Sequence, residues 1–198
     1  MATIKQSNPK AFEVLAQGLG ELDGVIGRAG WFETSKYEDG TPTAYIAAIQ
    51  EFGAVINHPG GTPYEVSSKG ARFVSKTADH ASSLPKTAPH DIIIPPRPFM
   101  RPTMTKQKRA WLNLLGKGAQ AVIEGKTTAL VVLESVAMKA AGDVAKTIAE
   151  LTTPPLAKST IAKRRRQMKN KKLVGALDKP LIATGQMFRD VTGKAEKI

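Results

Sequence analysis

The sequence predicts an α+β fold in which a small antiparallel sheet packs with two long helices, shorter terminal helices and extended loops. Two observations predict it. The second half of the chain carries two long runs of apolar residues at helical spacing, whereas the apolar runs of the first half are short and separated by turn residues. With 198 residues, 41% of them hydrophobic, the chain can bury one real core, and we treat residues 1–198 as a single domain.

A helix, a strand and a second helix are predicted first. Asn8-Pro9 is a typical helix start, and residues 25–32 alternate as a strand does. Thr41-Pro42 opens the second helix, and Gly53 stands where a C-terminal cap belongs. The apolar stripe predicted for this helix consists of Tyr45, Ile46, Ile49 and Phe52.

Residues 54–91 are predicted as a Pro/Gly-rich loop region. Residues 57–63 hold too many turn residues for regular structure, and the polar residues 77–89 suggest a mobile loop. Between them, residues 64–66 and 71–74 are predicted to pair as a hairpin. In an assembly, the two loops are natural candidates for arms that become ordered against a partner.

The two long helices follow a strand predicted at residues 92–94. The first helix starts near Pro102, and the second runs from about residue 127 to 151. A short basic helix through Met168 and a C-terminal turn of helix with a strand complete the prediction. The second long helix has a stripe that steps by three, four or seven residues, formed by Leu130, Leu133, Ala137, Ala140, Val144, Ile148 and Leu151.

Positive charge is concentrated in two windows that contain no acidic residue. Residues 92–123 and 151–177 hold 14 of the 29 basic residues. The rest of the chain holds the other 15 together with all 17 acidic residues, so it is close to neutral. Such clustering favours either a polyanion or an acidic protein surface as partner. The strongest local signal is the basic segment, residues 157–172. Its candidate contacts with a partner or DNA are Lys163, Arg164, Arg165, Arg166, Lys169, Lys171 and Lys172.

The basic segment contains no aromatic residue that would stack on bases, and no helix-turn-helix or zinc pattern surrounds it. Contact with nucleic acid would therefore be made with phosphates and would be blind to sequence. A solvated basic helix is the alternative interpretation.

No pattern of residues predicts an enzyme. The chain has no cysteine, and its three histidines lie in Pro-rich surroundings without a second ligand at helical spacing. The glycines at 18, 20 and 24 follow a helix and precede a strand, which is the reverse of a dinucleotide-binding loop. We therefore expect no catalytic residue, no metal and no cofactor. The polar N-terminus and the short apolar runs lead us to expect neither secretion nor a membrane partner.

Four segments of the chain carry motifs in a fixed order. The first is residues 44–53, a hydrophobic helix ending in Glu-Phe-Gly. The second is residues 94–102, Ile-Pro-Pro-Arg-Pro-Phe-Met-Arg-Pro. The third is the Pro-Pro-Leu at residues 154–156, followed by Ser-Thr-Ile at residues 159–161 and the basic residues after them. The fourth is residues 180–187, Pro-Leu-Ile-Ala-Thr-Gly-Gln-Met. Together they resemble the tail-completion (head–tail joining, virion morphogenesis) family of tailed bacteriophages, which usually has Asp where Ala183 stands here.

The resemblance implies a structural protein of the virion, made in the cytoplasm of the bacterial host. It would form a ring, usually of six copies, at the head–tail joint. Its partners would be further copies of itself, tail tube or tail terminator proteins, head-completion or portal-side connector proteins, and the genomic double-stranded DNA that passes through the ring. A sequence-nonspecific DNA-binding protein that acts alone is the alternative function.

The same motifs supply the candidate structural or interface residues. Phe99 would anchor the long helix to the core or contact a neighbouring subunit, and both roles remain open at this point. The full set is Glu51, Phe52, Gly53, Arg97, Pro98, Phe99, Thr184 and Gly185.

Overall fold

The computed structural model of the protein describes residues 9–68, 70–169 and 177–198. The predicted α+β class is confirmed, because the described residues form helices and small antiparallel sheets. The helices are α1 (Pro9–Asp23), α2 (Thr43–Phe52), α3 (Met100–Ile123), α4 (Ala129–Glu150), α5 (Lys158–Lys169) and α6 (Gln186–Asp190). The strands are β1 (Val25–Gly30), β2 (Ala54–His58), β3 (Tyr64–Ser67), β4 (Gly70–Phe73), β5 (His90–Ile94) and β6 (Thr192–Lys197).

The body of the protein is an antiparallel hairpin of the two long helices, α3 and α4. The Thr128 hydroxyl caps α4 by accepting the Val131 N–H. The Trp111 indole donates to Asp143 at 2.8 Å, which ties the middle of α3 to α4. α1 packs against α3 beside the turn of this hairpin. There the core consists of Val122, Ala129 and Val132, flanked by Leu22, Val25 and Leu115.

The single small sheet predicted from the sequence is three separate two-stranded antiparallel sheets in the described residues: β1–β6, β2–β5 and β3–β4. The β1–β6 ribbon lies on α4. Glycine makes this close approach possible, since an ideal Cβ built on Gly193 would stand 2.2 Å from the Ala137 carbonyl carbon. Helix α4 therefore covers one face of this ribbon.

Helix α2 buries a different face from the one predicted. The predicted stripe was wrong for Tyr45 and Phe52, which are 60% and 67% exposed. The buried residues are Thr43, Ala47 and Glu51, which follow one another every four residues. The small side chain of Ala47 packs in the core beside Phe99. On the same face of the helix, Glu51 points toward the start of α3.

Residues 54–94 form a projection that we call the β-arm. Its stem is the β2–β5 pair and its tip is the β3–β4 hairpin. The predicted tip hairpin is confirmed, but the stretch predicted as irregular begins with strand β2. The predicted loop 77–89 contains a 3-10 turn at Ala81–Ser83 and bonds back to the arm: the Tyr64 N–H donates to the Pro85 carbonyl at 3.0 Å. Elsewhere, no helix of the described residues is long and apolar enough to cross a membrane.

We expect Gly193→Ala to destabilise the protein, because the added methyl group would collide with the backbone of α4. Overpacking of this kind costs about 1–3 kcal/mol. The matched control is Gly142→Ala within α4, where an added Cβ meets nothing within 4 Å. That control should gain roughly 0.5–1 kcal/mol from helix propensity. Urea unfolding measures both, and equal stability of the two variants would show that the ribbon does not lie on α4.

Candidate functional site

The side chain of Glu51 caps the N-terminus of α3. Its carboxylate accepts the backbone N–H groups of Phe99 at 2.6 Å, Met100 at 2.9 Å and Arg101 at 3.2 Å. These groups have no partner inside the helix, and the positive end of the helix dipole favours a negative charge there. Because Glu51 belongs to α2, the same contact satisfies the free N–H groups of α3 and joins the two helices.

Opposing effects act on the protonation of Glu51. Burial alone would raise the pKa of this carboxyl, since Glu51 is only 3% exposed. The hydrogen bonds from Met100, Phe99 and Arg101 outweigh burial and hold the pKa below its ordinary value. Glu51 is therefore charged at neutral pH and serves as a structural anion.

Gly53 and Arg97 close the root of the β-arm beside this cap. The Gly53 N–H bonds to the Ile49 carbonyl and ends α2, as predicted, with φ at 76°. A Cβ at this position would lie 2.8 Å from the Ile94 oxygen, so only glycine lets the two ends of the arm approach. On the other side, the Arg97 N–H donates to the Gln50 carbonyl at 2.6 Å.

Phe99 is a core residue, and the intersubunit role considered for it is not supported by its position. It is fully buried among Ala47, Val144 and Ile148, and its ring meets that of Trp31 edge to face at 5.7 Å. Its backbone N–H is one of the three that Glu51 accepts. Phe99 thus joins the arm root to the main core. Pro98 beside it is half-buried.

Arg97 connects the root of the β-arm to the segment that follows α4. The residue is 7% exposed, and its guanidinium donates to the carbonyls of Pro154 at 3.1 Å and Pro155 at 3.4 Å, and to the Gln50 side chain at 3.3 Å. Burial lowers the pKa of this guanidinium. The side chain is enclosed by the chain itself, so it acts as a brace between segments.

The burial of Arg164 does not support its predicted contact with a partner or DNA. Arg164 is 6% exposed and donates to the carbonyls of Lys179 at 2.6 Å, Pro180 at 3.1 Å and Ile182 at 3.3 Å. Its burial, and then the neighbouring charge of Arg97, lowers its pKa. The guanidinium therefore holds three backbone carbonyls of the described C-terminal segment in place.

The other basic candidates have different settings. Lys163, Arg165 and Arg166 are exposed on α5. The side chain of Lys169, together with Lys171 and Lys172, lies outside the described residues. Three of the seven predicted contact residues are therefore exposed in the part of the chain that the structure describes.

The Thr184-Gly185 pair starts the short helix α6. Gly185 adopts a left-handed conformation with φ at 77°, and the Thr184 carbonyl accepts a hydrogen bond from Arg189 at 3.1 Å. Asp190 at the end of this helix accepts hydrogen bonds from Ser35 at 2.6 Å and Thr43 at 3.4 Å. This turn therefore attaches the C-terminal segment to the start of α2.

An apolar cleft of about 260 Å³ lies beside the cap, between α2 and the first turn of α3. Its wall includes Trp31, Ala48 and Phe52. The guanidinium of Arg101 stands 5.1 Å from the centre of the Phe52 ring and also donates to Glu51 at 2.9 Å. Phe52 thus belongs to the surface of the site and has no place in the core.

Several residues of the site were not predicted from the sequence, because no motif or spacing marks them. Gln50 and Trp31 look like ordinary helix and strand residues, and Asp190 has no motif around it. His58 and His90, interpreted as loop residues, end the two strands of the stem and stack at 4.9 Å. Within the described ranges, no three His, Asp or Glu side chains are grouped so as to hold a metal ion.

Comparison of the chain with protein-family models, with curated proteins and with solved structures gives no match. The site is therefore interpreted from its own geometry.

We expect Glu51→Ala to destabilise the protein by about 2–3 kcal/mol, because one buried and two partly buried N–H groups lose a charged acceptor. Glu134→Ala, an exposed acid on α4, is the control and should change stability by less than about 0.5 kcal/mol. Thermal or urea unfolding provides the measurement. If the two variants were equally stable, the Glu51 carboxylate would not hold the start of α3.

Proposed function

We propose that the protein is a structural, non-enzymatic component of a tailed-phage particle that forms a ring at the head–tail joint. One observation carries the proposal. The four segments that resemble the tail-completion family lie far apart in sequence, yet each is hydrogen-bonded to the next. Glu51 joins the first segment to the second, Arg97 joins the second to the third, and Arg164 joins the third to the fourth.

This connection gives the motif residues a physical reason to occur together. A Glu-Phe-Gly at the end of one helix needs a helix start within reach of its carboxylate, and the Pro-Arg-Pro-Phe segment supplies one. The buried guanidinium of Arg97 needs carbonyl acceptors, and the Pro154-Pro155 segment supplies two of them. Ala183, which departs from the family pattern, lines a cleft beside Arg164 and leaves this connection intact.

The β-arm supports a role in assembly. A projection that is held firmly at its root and exposes apolar side chains along its length is suited to reach another subunit. The buried carboxylate of Glu51 is engaged in holding the start of α3, which favours a structural role over catalysis.

A DNA-binding protein that acts alone is the second candidate function. Lys163, Arg165 and Arg166 support it, because they are exposed together on α5. Binding through these charges would be salt-dependent and independent of sequence. The two candidates differ in what happens to particles that lack the chain.

Particles assembled without the protein are expected to accumulate as full heads and separate finished tails in electron micrographs, and the wild-type chain should restore joining. The variant Arg165→Glu/Arg166→Glu leaves the buried Arg164 in place, so it tests the exposed charge alone. Lys108→Glu/Arg109→Glu on α3 is the control with the same change in net charge.

If α5 contacts an acidic protein in the neck, the α5 variant should fail to restore joining while the control succeeds. Joined particles with altered DNA retention would instead assign these charges to DNA, and normal infectious particles would make them a solvated surface. Complete, joined particles in the absence of the chain would refute the head–tail role.

A further inference from the structure

Both faces of the β-arm stem expose large apolar side chains. In the β2–β5 register, Val55 lies opposite Ile93 on one face, and these side chains are 63% and 73% exposed. Ile56 lies opposite Ile92 on the other face, and these are 44% and 40% exposed. A ribbon of two strands with nothing packed on it is marginally stable in water. Packing of another element on the stem would therefore stabilise it.

The chain does not cover the stem with its own described elements. β2 and β5 pair with one another, and no described helix makes more than marginal contact with either strand. Six exposed large apolar side chains on one projection are more than the isolated ones that are normal on a monomer surface. Besides those of the stem, they include Val66 and Phe73 near the tip.

The apolar cleft beside the cap has the complementary properties. Its wall is formed by Trp31, Ala44, Ala48, Phe52 and Met100, and its volume is about 260 Å³. A cavity of about 150 Å³ accommodates a benzene molecule. The cleft therefore has room for a pair of branched aliphatic side chains. No residue of the stem lines the cleft of its own chain.

The charged residues beside the two apolar surfaces are also complementary. Asp91 lies two residues from Ile93 and so points to the same face of the stem, where it is exposed. Arg101 lies at the rim of the cleft with its side chain 61% exposed, although it already contacts Glu51. If the Val55–Ile93 pair entered such a cleft, the Asp91 carboxylate could lie beside the Arg101 guanidinium at its rim.

We propose that the Val55–Ile93 face of the β-arm of one copy docks in the apolar cleft of a second copy of this chain, with Asp91 facing the second copy's Arg101. Two surfaces on one chain that complement each other, and that do not meet within it, form a heterologous contact when copies associate. Repetition of such a contact closes into a ring when the rotation permits. This inference rests on the proposed function for its setting, and it supplies the subunit contact of the ring.

Disulfide trapping tests the contact, since the natural chain contains no cysteine. One full-length variant carries Ile93→Cys on the stem, and a second carries Ala48→Cys at the cleft. Both positions have exposed side chains, and a thermal melt of each variant verifies folding. Lys117→Cys on the exposed surface of α3 replaces Ala48→Cys as the control for random collision.

With oxidised glutathione added as the oxidant, the mixed disulfide between the Ile93→Cys and Ala48→Cys chains should form about tenfold faster, or more, than the disulfide with Lys117→Cys, because docking raises the effective concentration of the two thiols. Adding Asp91→Lys to the Ile93→Cys chain should slow trapping, whereas Asp79→Lys in the exposed loop 77–89 should not. Rates equal to the Lys117→Cys control would overturn the proposal. Faster trapping between two Ile93→Cys chains would also overturn it and would indicate that arms pair with arms.

The outcomes for the contact and for the function are separate. Specific trapping together with normal joining of particles that lack the chain would refute the head–tail role and keep the contact. Failed trapping together with failed joining of those particles would keep the role and refute the contact.

Discussion

The carboxylate of Glu51 on the N-terminus of α3 is the interaction on which the rest of the site depends. It buries a charge, which is costly unless hydrogen bonds compensate, and the three N–H groups at the start of α3 together with Arg101 provide them. Because Glu51 lies in the last turn of α2 and Phe99 directly precedes α3, the same contact fixes both ends of the β-arm. Phe99 is then delivered to the main core, so the cap links the arm to the body of the protein.

Two buried arginines extend this constraint through segments that have little regular structure. Arg97 holds the carbonyls of Pro154 and Pro155, and Arg164 holds those of Lys179, Pro180 and Ile182. A guanidinium can satisfy several carbonyls at once, so it replaces the backbone ladder that proline-rich segments cannot form. The result is a continuous polar framework from α2 to the C-terminal segment, and the exposed arm projects from it.

The sequence predicted the parts of the fold that local chemistry controls. Proline and glycine marked the ends of α2 and the start of α3, and helical spacing located the buried face of α4 at Ala137, Val144 and Ile148. The failures have a common cause, which is tertiary contact. The motif named Glu51 as a structural candidate, but its burial as a helix cap and the burial of Arg164 depend on distant backbone groups, because both residue types normally lie on the surface. Conversely, Phe52 fits a core stripe by spacing but lies on the surface, because the helix turns Glu51 inward.

The most direct test of this interaction is the pKa of Glu51, measured from its side-chain carboxyl ¹³C shift in an NMR pH titration. A lowered pKa means that the contribution to stability is full above the unfolded-state value and is lost as pH falls through the folded-state value. We predict a pKa below the ordinary glutamate value, because the hydrogen bonds to the start of α3 outweigh burial. A pKa at or above the ordinary value would show that burial dominates, and that the carboxylate does not hold the helix and the arm together.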